Sequence, residues 1–195
     1  MGIGALNFGY AIGVFNSLQI EFLRVFGFPE EGKEADKVST TMTTISSIGM
    51  AIGALGSGPL TRFGKKNCIH MTNVLVIIAC GLQQIQVYGA VLAGRFLFGL
   101  SGGGFSVFVP SFINEVTPIE LKGPFGSSTQ IFITLGIMIS NLLGIPLPVL
   151  AHASEDTFID QQYWRVLFGL PIAFSLIQSG LLLTVFNYET PKFLK

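Results

Sequence analysis

Charge is what this sequence has least of. Only 11% of its 195 residues are Asp, Glu, Lys or Arg, against roughly a quarter in a soluble globular domain. The two signs cancel, with 11 residues of each, so the basic face that a nucleic-acid partner requires is absent. Cysteine is scarce as well. Cys68 and Cys80 lie in apolar surroundings without metal-ligand spacing and offer no disulfide framework, which leaves them as small buried hydrophobes. No metal and no cofactor are expected. The chain contains no N-x-[ST] acceptor. Its start lacks a basic n-region and a small-residue cleavage site, so the first apolar stretch reads as a span and not a signal peptide.

What is present is apolar. Half of the residues are hydrophobic, 18 are Phe and 24 are Gly, and the mean hydropathy is +0.64. A single soluble core of this size cannot hide so much apolar surface, and the excess would form aggregating patches. The sequence therefore reads as an all-α membrane protein with the lipid bilayer as its solvent. Six apolar stretches, at about 1–20, 38–60, 67–89, 91–113, 124–148 and 165–187, each approach the roughly 20 residues that span a bilayer. None of them contains Asp or Glu.

Two motifs come close to enzyme signatures. "GPLTRFGKKN", residues 58–67, imitates a phosphate-binding P-loop, but five residues separate Gly58 from Gly64 and no hydroxyl follows Lys65. "GLSGG", Gly99–Gly103, fits the nucleophile-elbow spacing, yet it lies within an apolar helix. His70 and His152, the only histidines, fall near opposite membrane faces. An elbow needs a preceding strand and a converging His and acid, so an enzyme is not expected.

Orientation follows from Lys and Arg. With the loop between the second and third stretches inside, the inner face carries Arg62, Lys65, Lys66, Lys122, Lys192 and Lys195, and the outer loops carry Arg24, Lys33, Lys37 and Arg165. Both chain ends are then cytoplasmic. Gly9/Gly13, Gly49/Gly53 and Gly99/Gly103 form i, i+4 pairs that let helix backbones approach in lipid, although a chain so rich in Gly also yields such pairs by chance.

In this order the motifs resemble one family closely. "GRFLFGLSGGGFSVFVPSFINEVTPIELKGPFGSSTQIFITLGI", residues 94–137, resembles the fourth and fifth spans of the sugar porters. These are the glucose-transporter-like branch of the major facilitator superfamily. "FGYAIGVFN" is similar to the family's first span, "RFGKKN" to its R-x-G-R-R loop, and "YWRVLFGLP" and "YETPKFLK" to the sixth span and the motif after it. The resemblance covers the whole chain but only half of such a porter. It implies a six-helix N-terminal bundle over residues 1–187 built from two inverted three-helix repeats, the start of a cytoplasmic linker at 188–195, and a C-terminal bundle that this chain lacks. Departures are Thr61 in place of the usual acid or Asn, Ser57 in place of Gly, and Lys65, Lys66, Lys122 and Lys192 where Arg is usual. Lys keeps the charge but loses the planar fork.

The resemblance also implies roles. Arg62, Lys65, Lys66, Glu115, Lys122 and Glu189 correspond to the cytoplasmic gate. The plainer reading is that they hold the orientation and cap helix ends. Pro118 makes a pair of Glu115 and Lys122 within one helix unfavourable. Gln130 is an amide that both donates and accepts, and Ile133 and Ile137 follow at i+3 and i+7 on one helix face. In the family these positions line the sugar cavity, as do those of Asn16 and Phe8; the alternative is an amide that only bridges helices. Arg95 opens an apolar stretch. An arginine at membrane depth is costly and tends to be paired or functional, unless it snorkels to the interface.

The expected function is passage of a hexose-type monosaccharide across a membrane, the plasma membrane before an internal one, by alternating access and facilitated diffusion. The rivals are a proton-coupled sugar or polyol symporter and a non-transporting half-protein or sensor. In proton-coupled sugar porters an acid follows the Tyr of the first-span F-G-Y, and here that place is Ala11.

Overall fold

In the computed structural model the described residues are 2–26, 32–85, 87–145 and 158–184. They form six long helices: α1 (Gly2–Val25), α2 (Lys33–Leu60), α3 (Lys65–Gln83), α4 (Tyr88–Val116), α5 (Lys122–Gly144) and α6 (Phe158–Thr184). Each overlaps one of the apolar stretches. Several run beyond it, because a helix satisfies its own backbone hydrogen bonds and need not stop where hydropathy does. α1 takes in Glu21 and Arg24, α2 begins within the charged loop at Lys33, and α6 includes Asp160. α3 is shorter than expected and ends at Gln83, six residues before the expected end of its stretch at 89. Lys33–Phe63, Tyr88–Val116, Ile119–Gly144 and Arg165–Thr184 are long and apolar enough to cross a membrane.

The two turns on the basic side follow from local chemistry. Thr61–Phe63 tightens into a 3-10 turn, and Gly64 at φ 90° reverses the chain into α3, a backbone region where a Cβ clashes. This is the structure of the "RFGKKN" segment. Between α4 and α5, Thr117 is extended, as a residue before proline must be. Pro118 then leads through a second 3-10 turn, Ile119–Leu121, into Lys122.

The helices pair closely. α1 packs along α5 and α2 along α4, while α3 packs on α4 and α6, and α6 packs on α1. The glycine pairs lie at these crossings. A Cβ on Gly49 or Gly53 would strike the α4 backbone at Phe96 or Leu100, and one on Gly99 or Gly103 would strike α2 at Ser46 or Met50. Across the other crossing, Gly9 and Gly13 abut Ile133, Ile137 and Ser140, and Gly136 abuts Leu6. Backbones meet because no side chain intervenes. Ser101 of "GLSGG" is buried in α4 and donates to the Phe98 carbonyl at 2.7 Å, so its hydroxyl is absorbed by its own helix.

Two apolar clusters fill the bundle. One, with Tyr10, Val14, Leu18, Val91 and Leu167, lies where α1 ends and α4 and α6 begin; the other, with Ile69, Val76, Phe108, Val109 and Leu182, lies where α3 begins and α4 and α6 end. Polar ties fix α6. Asn7 donates to Ser175 Oγ at 2.9 Å, Asn73 to Ser179 Oγ at 2.9 Å, and Tyr10 to the Leu167 carbonyl at 3.0 Å. Outward the helices are apolar, with Leu55 81% and Leu183 61% exposed, as helices facing lipid or another apolar bundle would be.

Candidate functional site: a pair of cavities without a carboxylate in their described walls

Two cavities open between the paired helices, and Phe8 borders both. Its ring lies against Gly102 of α4, where a Cβ would come within 2.7 Å of it, so a small residue on α4 admits an aromatic from α1. The first cavity, about 260 Å³, lies between α1, α2 and α4 and is walled by Asn16, Thr43, Ser46, Ser47 and Arg95 together with Phe8. The second, about 280 Å³, lies between α1, α4 and α5 and is walled by Gln130, Ile133, Ser106 and Thr129. No Asp or Glu is among the described lining residues of either.

Three of the wall hydroxyls are arranged as acceptors. Thr43 Oγ1 donates to the Ser39 carbonyl and Ser47 Oγ to the Thr43 carbonyl, both at 2.9 Å, and Ser106 Oγ donates to Gly103 at 2.8 Å. With their protons spent on the helix backbone, these oxygens keep lone pairs for a ligand's hydroxyl donors. Gln130 and Asn16 are exposed at the cavity rims, and each adds an amide that donates and accepts.

The expected site residues therefore divide. Phe8 and Asn16 border the first cavity; Phe8, Gln130 and Ile133 border the second. Ile137 borders neither. Its carbonyl accepts from Ser140 Oγ at 2.7 Å and lies against Gly13 at the α1 crossing. Sequence reasoning missed the hydroxyl wall of α2, although its signal was visible: seven of the nine residues from 39 to 47 are Ser or Thr.

On the basic side Lys65 Nζ lies 2.5 Å from Glu115 Oε1 and donates to the Ser111 carbonyl at 3.3 Å. Both side chains of the ion pair are mostly buried, with 15% and 11% exposure. It joins the start of α3 to the end of α4 within the bundle. Arg62 and Lys122 are exposed and Lys66 is half-buried; none of the three takes part in that pair. Glu189 lies outside the described residues. Arg95 is 3% exposed, so it does not snorkel; its guanidinium carbon stacks 3.8 Å from the centre of the Phe15 ring and 5.1 Å from that of Phe168. Neither ring was foreseen.

Comparison with known proteins agrees with this architecture. The family model described as sugar (and other) transporter matches residues 1–195. Hexose transporter 1 of Toxoplasma gondii is 31% identical over 98% of this chain and 36% of its own length. Solute carrier family 2, facilitated glucose transporter member 3, of Mus musculus is 31% identical over 98% of this chain and 39% of its own. This chain thus spans less than half the length of the relatives it matches. Among solved structures, a D-xylose–proton symporter superposes with a TM-score of 0.82 at 23% identity, covering 99% of this chain and 48% of that one. The inward-open xylose transporter of E. coli gives 0.77 at 22% identity, again over 99% and 48%. The fold is that of one half of a major facilitator carrier.

Proposed function

This chain belongs to the sugar (and other) transporter family, and from that premise we propose that it is the N-terminal six-helix bundle of a facilitative hexose carrier. The observation that carries this reading is the pair of cavities walled by amides, hydroxyls and aromatic rings, with Arg95 the one charged group among their described lining residues and no described carboxylate. A neutral sugar presents hydroxyls and apolar ring faces, and those walls complement both. Gln130, Ile133, Phe8 and Asn16 make contact with the sugar, and Ile137 supports Ile133 from the α1 crossing. A C-terminal bundle closes the cavities from the opposite side, with residues 188–195 leading towards it.

The packing supports two three-helix repeats. Exchanging α1, α2 and α3 for α4, α5 and α6 turns the α1–α5 pair into the α4–α2 pair and the α3–α4 pair into the α6–α1 pair. Such repeats are the usual basis of rocking around a midplane site. All six helices then cross the membrane, with both ends of the chain cytoplasmic and the plasma membrane as the expected location. Lys65 and Glu115 form a gate with Arg62, Lys66, Lys122 and Glu189 at the cytoplasmic rim. Ala11, which cannot titrate, borders the first cavity beside Arg95, and this favours facilitated diffusion over proton symport.

Uptake by the complete carrier in sealed vesicles tests the reading. Hexose should enter until concentrations equalise, with no response to an imposed pH gradient. Accumulation above equilibrium that collapses with a protonophore would refute facilitated diffusion. Absence of any hexose flux from a correctly inserted carrier would refute the substrate class.

A further inference from the structure

We propose that a small void beside Arg95 is a binding site for a monatomic, monovalent anion of the chloride class, held within the bundle. Arg95 is a permanent cation with 3% exposure. Phe15 and Phe168 lie over its guanidinium. Ring faces attract a cation, but they leave its N–H bonds, which lie in the guanidinium plane, without acceptors. Nε and Nη2 are both buried and have no hydrogen-bond partner. These two atoms share one edge of the guanidinium, and their parallel N–H bonds form the fork that normally grips an anion. No Asp or Glu is among the described residues lining the void or the larger cavity next to it.

The void measures about 10 Å³ and is bordered by Ala11, Cys80, Gln83 and Arg95. That is room for one particle of water size. A water could accept from the fork but could not balance the charge. A monatomic anion, somewhat larger than a water, does both. Further donors stand at the same walls: the buried Cys80 thiol, which is free, and the Gln83 amide, one of whose N–H bonds goes to the Ala79 carbonyl at 3.2 Å. A sugar acid does not fit the void. With the anion in place, the cavity that Arg95 borders presents a neutral wall. The site belongs to the bundle's own electrostatics and does not depend on what the carrier moves.

The test uses the complete carrier purified in detergent, melted while chloride is exchanged for methanesulfonate at constant ionic strength. Chloride and bromide should raise the melting temperature saturably by several degrees, and bromide-soaked crystals should give an anomalous peak beside Arg95 Nε and Nη2. Ala11→Asp places a carboxylate at the wall of the void and should remove the halide response. Halide-independent melting of the wild type, no bromide peak beside the fork, or an undiminished halide response in a folded Ala11→Asp carrier would each overturn the proposal. A stabilising response to glucuronate equal to that for chloride would also overturn it, placing a sugar acid in the larger cavity instead. If Ala11→Asp fails to fold, the wild-type titration and the bromide peak still decide. Sugar uptake is scored separately, so failure of either reading leaves the other measurable.

Discussion

Gly99→Ala adds one carbon at the place where α4 crosses α2. An ideal Cβ there would lie 2.9 Å from the Ser46 carbonyl carbon and 3.1 Å from the Met50 nitrogen, with the Ser46 oxygen nearer still. Carbon–oxygen contacts between packed helices settle at about 3.3–3.6 Å, so the helices must part by roughly 1.5 Å. The obstruction is backbone, which no rotamer change relieves. Overpacking costs about 1–3 kcal/mol, and an unyielding contact belongs at the upper end. Ala returns about 1 kcal/mol of helix propensity, which leaves a net loss of about 2 kcal/mol. At about 2–4 °C per kcal/mol, the carrier should melt roughly 4–8 °C lower in a thermal-shift assay. Gly81→Ala is the control, because a Cβ at Gly81 in α3 meets nothing within 4 Å; it should melt no lower than wild type. Equal melting of the Gly99→Ala and wild-type carriers would show that the crossing is not closed by glycine.

Gln130→Ala should raise the apparent KM for hexose by roughly tenfold, since an unpaired polar group costs about 1–3 kcal/mol; unchanged uptake kinetics at normal surface expression would make Gln130 a packing residue. Glu115→Gln breaks the Lys65 ion pair and should shift inward against outward accessibility by about 5–150-fold while a cavity ligand still binds, with partial recovery in the Lys65→Glu, Glu115→Lys double variant. No change in either transport or accessibility would remove the gate. Single cysteines at Asn67 and Ser154 should react with an impermeant reagent from opposite sides of the membrane, over a quiet background because Cys68 and Cys80 are each 1% exposed; labelling of both from one side would sink the six-span topology.

The helices were legible because apolar length is written directly into composition, and the sharp turn at Gly64 because "RFGKKN" offers few other residues that could reverse the chain. Their ends were less legible: hydropathy marks the apolar slab, whereas α1 continues through Glu21 to Val25. Gln130 and Asn16 were recognisable by resemblance and by amide chemistry. The partners of Arg95 were not. Phe15, Arg95 and Phe168 come from α1, α4 and α6, and with 18 phenylalanines in the chain no spacing singles out these two. Glu115 was expected at the gate, but its bond to Lys65 joins residues 50 positions apart and depends on how α3 meets α4.

The crossings bear on where a conformational change can take place. α1 is locked to α5 and α2 to α4 by backbone contacts at glycine, and all four helices contribute cavity residues. Close-packed contacts of this kind do not deform continuously, so α1 moves with α5 and α2 moves with α4. A ligand can shift an equilibrium only by its differential affinity for the two states. If the walls within this bundle are the same in both states, that difference must arise at its boundary with the facing bundle. Under the proposed alternating-access reading, substitutions at Gly99 should change how stably the bundle folds, whereas substitutions at Lys65 and Glu115 should change the ratio of inward to outward orientation. The two kinds of variant should separate in a single experiment that measures melting and accessibility side by side.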